Sequence, residues 1–248
     1  MTSQTKKTLL WITLFAIAMG FLETSVVVYL RELYYPNGFE FPLTVIPKKI
    51  AIVEFWRELA TIIMLLGAGI IAGKTKLTRF AYFLIAFAIW DVFYYVFLYI
   101  LLAWPQNIVT WDILFLIPFP WTGPVIAPCI VALGMIILGY LIIYYSEQKK
   151  RVFINSKQWF LLIGGVIIII SSFMWDYFNV VSKGTGSIWN LFSESNLFEE
   201  MRTYIPQQFN WAVFSIGLCL CFTGMLLCYK NWKNINTEES RGLQRYEP

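Results

Sequence analysis

The chain contains no histidine among its 248 residues. That removes the commonest haem and zinc ligand, the usual general base and any Ser-His-Asp apparatus. Cysteine is scarce as well. Cys129, Cys219, Cys221 and Cys228 all fall in apolar stretches and none in an outer connection, which leaves structural disulfides without a place to form. Charge is low, at 14% against roughly 25% in an average soluble protein. No phosphate-cradling glycine loop is present, because Gly164 and Gly165 sit inside an apolar run with no loop around them. On these grounds no cofactor and no metal site are expected, and no nucleic-acid motif appears.

What the chain has is apolar length. At 58% hydrophobic residues, with runs of 20 or more, its expected solvent is a bilayer. Within hydrocarbon every backbone N–H and C=O must be bonded inside its own helix or around a closed barrel. Barrel strands would alternate over about ten residues, which these runs do not. The expected fold is therefore an all-α, polytopic membrane bundle of six spans, at about 8–30, 50–73, 78–103, 122–145, 158–181 and 208–229. The first run follows Lys6 and Lys7 like a secretion signal. It continues through Val28 and Leu30, well past a signal core of 7 to 15 residues, and is read as a retained helix. Residues 1–230 form one integral membrane domain, and the polar tail 231–248 is expected to be flexible and cytoplasmic.

Basic residues orient the spans. With the N-terminus inside, 13 of the 19 Lys and Arg lie in cytoplasmic segments and five outside, at Arg31, Lys48, Lys49, Lys183 and Arg202, while Arg57 lies within a span. Positive residues accumulate on the cytoplasmic side, so both termini are expected there. The net charge of +4 then reports topology and gives no reason to expect nucleic acid as a partner. A compact six-span chain points to a bacterial inner membrane.

Against that background, Glu23, Glu54, Glu58, Asp91, Asp112 and Asp176 fall inside or beside apolar runs, where a charge costs several kcal/mol. The orientation puts five of them in the outer half, with Asp91 the deepest, so that together they could line one outward-facing pocket. Glu54, Arg57, Glu58 and Thr61 share one helical face, and Arg57 can neutralise a neighbour or anchor an anionic group. The bland alternative is an interfacial ion pair with a snorkelling arginine. In the fifth span Ser172, Asp176, Asn179 and Lys183 make a polar stripe that must face protein or water. Three aspartates follow tryptophans, as Trp90-Asp91, Trp111-Asp112 and Trp175-Asp176, and Tyr94 is placed one turn on to donate to Asp91.

Between the third and fourth spans, Trp111 to Pro128 carries prolines at 118, 120, 124 and 128. Such a segment is expected to be re-entrant or interfacial, proline-broken, with the fourth helix restarting at Thr122 as N-cap and Pro124 in its first turn. Residues 196–204 could form a surface amphipathic helix. Gly217, Cys221, Gly224 and Cys228 share a face suited to close helix packing.

A carboxylate-rich site without histidine or thiolate favours a proton, a hard cation or a cationic or small polar solute. The expected function is a proton- or cation-coupled small-solute transporter. An accessory subunit whose polar groups bind a membrane-protein partner is the alternative, and an enzyme acting on a lipid-linked substrate is a third. Membrane lipids are the general partner in all three.

Overall fold

The computed structural model describes residues 1–44, 46–117, 120–148, 152–185 and 204–244, with only the backbone course at 181–185 and 235–244. Six long helices dominate: α1 (Ser3–Tyr34), α2 (Lys48–Ala72), α3 (Lys76–Leu102), α4 (Ile126–Glu147), α5 (Ser156–Thr185) and α6 (Trp211–Gln244). All six are long and apolar enough to cross a membrane, as the sequence requires of an integral membrane protein. Large apolar side chains such as Trp11, Ile71 and Phe160 remain exposed on the outside of the bundle, as expected where the surrounding solvent is hydrocarbon.

Helix α3 is the axis. A glycine on each of three neighbours lets that helix approach the α3 backbone directly: a Cβ on Gly20 of α1 would meet the Trp90 carbonyl oxygen at 3.0 Å, one on Gly69 of α2 the Phe83 nitrogen at 2.7 Å, and one on Gly139 of α4 the Ala81 carbonyl oxygen at 2.8 Å. Without a strong hydrophobic drive between helices in lipid, such small-residue seams carry the packing. Ala16, Ala81 and Ala86, all fully buried, extend the same seams.

Helices α5 and α6 form a second unit held in the same way. A Cβ on Gly217 would meet the Gly165 carbonyl oxygen at 2.8 Å, and one on Gly165 the Cys221 sulfur at 2.5 Å. The small-residue face read from Gly217 and Cys221 is thus an α5 contact. Helix α6 continues past the expected end of its span at 229 and stays helical to Gln244. The amphipathic segment expected at 196–204 lies, but for Tyr204, outside the described residues.

The segment before the fourth helix corrects the expected helix start at Thr122. It is an antiparallel hairpin of β1 (Trp111–Phe115) and β2 (Trp121–Pro124), with Asp112 opposite Gly123, Ile113 opposite Thr122, and an irregularity between Ile113 and Phe115. Thr122 is therefore a strand residue and no N-cap; its hydroxyl pairs with that of Tyr204 at 2.8 Å. Helix α4 begins four residues later, at Ile126, and it is Pro128 that occupies the first turn. A missing N–H is harmless there, because first-turn amides have no intrahelical partner.

Candidate functional site

The C-terminal half of α1, the first half of α2, the second half of α3 and the hairpin enclose a cavity of about 200 Å³. Tyr35, Phe39, Leu43, Thr44 and Ile46, from the connection between α1 and α2, line it as well, and the Thr44 amide donates to the Tyr35 hydroxyl at 3.0 Å. Seven of the nine side chains singled out from sequence line this space: Glu23, Glu54, Arg57, Glu58, Asp91, Tyr94 and Asp112. The other two, Asp176 and Asn179, do not.

On the α1–α2 wall the two helices are tied by charge. Arg57 donates to Glu54 through Nε at 2.8 Å, one turn back on its own helix, and through a terminal nitrogen to Glu23 across the gap. Thr61 donates to the Glu23 carboxylate at 3.3 Å and to the Arg57 carbonyl at 3.1 Å. The shared face read from the sequence is real, but Arg57 neutralises Glu54 and Glu23 and not Glu58. Glu58 instead accepts the backbone amide of Leu116 at 2.9 Å, fixing the end of β1 to α2.

On the opposite wall Arg31 stands 3.5 Å from Asp112, with both side chains buried. The guanidinium lies over the rings of Trp104 at 3.9 Å and Phe39 at 4.5 Å, which stand at 88° to each other, so that cation–π contacts on two sides substitute for water. This pairing is incomplete. Arg31 Nη1 and Asp112 Oδ2 are buried without a hydrogen-bond partner among the described residues. Burial pushes the Asp112 carboxyl up to about 6, against the pull of the Arg31 charge, the Ile113 amide and the Tyr95 hydroxyl.

Arg31 is the residue that sequence reasoning missed, because the apolar run ends at Leu30 and Arg31 counts there as an outer-loop charge. The helix runs on to Tyr34, and Glu23, Val27 and Arg31 recur every four residues along one face. That spacing was the available signal. Asp91 sits beside this wall, and its carboxylate makes no hydrogen bond or ion pair among the described residues. The hydrogen bond expected from Tyr94 is not formed; its ring packs edge-on against Tyr95, with centroids 4.9 Å apart, and both tyrosines line the cavity.

Asp176 has a different setting. It accepts the Tyr204 hydroxyl at 2.7 Å and the amides of Gln207 and Gln208 at 3.0 Å each. These bonds hold the chain that leads into α6, and Asp176 and Asn179 line a separate cavity with Gln207 to Ala212. The stripe of the fifth span faces protein at Ser172 and Asp176, both buried, while the Lys183 side chain lies outside the described residues.

If all are ionised, the main cavity carries five acids against two arginines. The acids are spread around the wall, and among the described residues no three of them are placed to share one ion. No known family model, no curated protein and no solved structure matches the chain, so the cavity itself carries the functional argument.

Proposed function

We propose that the protein is a transporter that exchanges protons or another cation for a small solute, using the α1–α2–α3–hairpin cavity as its outward-facing binding site. The observation that supports this reading is Asp91. Every other acid of the cavity touches an arginine or a backbone amide, whereas Asp91 has no hydrogen-bond or ion-pair partner among the described residues and stands in a wall that carries more acids than arginines. An ionisable side chain inside a membrane span is costly, and such groups mark proton and ion pathways.

Topology belongs to the same proposal: both termini face the cytoplasm of a bacterial inner membrane, the cavity faces outward, and lipid surrounds the exposed apolar faces. In proteoliposomes loaded with a pH-sensitive dye, a sodium, potassium or alkylammonium salt that is carried should drive proton counterflow beyond that of protein-free vesicles. Asp91→Asn should abolish that excess; undiminished flux in the variant would refute the role of Asp91.

A further inference from the structure

The charge, the apolar character and the size of the cavity each narrow the solute. The inference deepens the transport reading and rests on it for the role of the cavity. Charge comes first. With five acids facing two arginines, an anionic solute is repelled. A zwitterion would need a free cation, yet Arg57 is held by two glutamates and Arg31 is already beside Asp112. What remains without a hydrogen bond among the described residues is the Asp91 carboxylate, the Asp112 Oδ2 and the Arg31 Nη1, two acids to one cation whose charge is already set against Asp112.

The walls decide between inorganic and organic cations. Calcium takes six to eight oxygen ligands and magnesium a near-ideal octahedron. Here Val27, Leu30, Leu43, Ile46, Leu114 and Phe115 make much of the lining, and among the described residues no three acids converge. A bare ion would lose its hydration shell to hydrocarbon. A cation with an apolar body gives up less, because only its charged end needs replacement of water, by the acid, while its body gains from meeting the aliphatic wall. Tyrosine rings of the kind that line the cavity attract an ammonium group as well.

Size sets the upper limit. A cavity of about 150 Å³ holds a benzene ring, and the present one is about 200 Å³. Drug-sized ligands need about 300 Å³ or more. We infer that the cavity binds a small organic monocation, an ammonium ion on a single-ring or short branched apolar body, with the ammonium at Asp91 and Asp112 and the body against the hairpin and α1.

Phenethylammonium is a probe of this size and charge, and 2-phenylethanol and phenylacetate are its neutral and anionic counterparts. In calorimetry on the full-length protein in detergent at pH 7, phenethylammonium should bind, while the alcohol and the acid anion should not. Asp91→Asn should weaken it by about thirtyfold or more, the usual loss on removing one side of a buried charge pair. Glu147→Gln, at the far end of the bundle, should leave binding unchanged. The comparison of three ligands on the unmodified protein stands even where a variant fails to fold. Equal binding of the alcohol, or no binding of phenethylammonium, overturns the ligand class. Uptake of labelled phenethylammonium into proteoliposomes, against protein-free vesicles, separates the two proposals. Binding without uptake keeps the ligand class and removes the transport reading, whereas proton-coupled sodium or potassium flux without phenethylammonium binding does the reverse.

Discussion

Asp91 and Asp176 begin alike and end differently. Each follows a tryptophan on a membrane-length helix. In the α5–α6 unit, Asp176 is saturated by a tyrosine hydroxyl and two backbone amides and serves to hold the chain entering α6. In the α1–α2–α3 unit, Asp91 has no such partner and lines open space. A motif in the sequence therefore does not decide between structural and functional acids. What decides is whether the fold delivers donors to the carboxylate.

The comparison can be tested by substitution. Asp176→Ala removes the acceptor of three donors; the Tyr204 hydroxyl keeps Thr122, whereas the Gln207 and Gln208 amides lose their partner at about 1–3 kcal/mol each. Stability measured by thermal unfolding in detergent should therefore fall by about 4 kcal/mol, the largest effect expected. Arg57→Ala leaves Glu23 and Glu54 without their shared cation; a loss of about 3 kcal/mol is expected, and Glu23→Gln in the same background should recover part of it.

Asp112 comes next. Its folded value of about 6 lies above the ordinary 3.8, so the fold favours the protonated acid. That contribution is fully present below about pH 4 and is lost as pH rises through about 6. Relative to Asp112→Asn, the unmodified protein should lose on the order of 2 kcal/mol between those limits and remain level above them. A difference that is flat across this window would show that Arg31 fully compensates burial. Asp91→Asn should hold stability or raise it slightly, since no partner is lost and one acid is removed from a wall with more acids than arginines. If it destabilised the protein as much as Asp176→Ala, Asp91 would belong with the structural acids.

The helical framework was legible because hydrocarbon imposes a minimum apolar length, and all six runs became helices within a few residues of their expected starts. Their ends were less legible. Arg31 continues α1 although it is charged, because Phe39 in the following connection and Trp104, distant in sequence, supply its solvent. The hairpin was hidden for a related reason. Proline argues against helix and strand alike, and the pairing of Asp112 with Gly123 is a choice made between segments. Glu23, Glu54, Glu58, Asp91 and Asp112 line one cavity because α1, α2 and the hairpin gather beside α3. Asp176 stands apart from them, because its partners lie 28 to 32 residues further on, in the chain before α6.

Gly20 places a constraint on the width of the cavity. It meets α3 at Trp90, the residue before Asp91, and lies three residues before Glu23. A methyl group there would stand 3.0 Å from the Trp90 carbonyl oxygen and 3.2 Å from the Phe93 Cβ, so α1 would have to move outward by a few tenths of an ångström. The bore between Glu23 and Asp91 is thus gauged by a hydrogen atom. Gly20→Ala is a way to widen the chamber without altering a single charge in it, and should shift ligand preference toward bulkier ammonium ions.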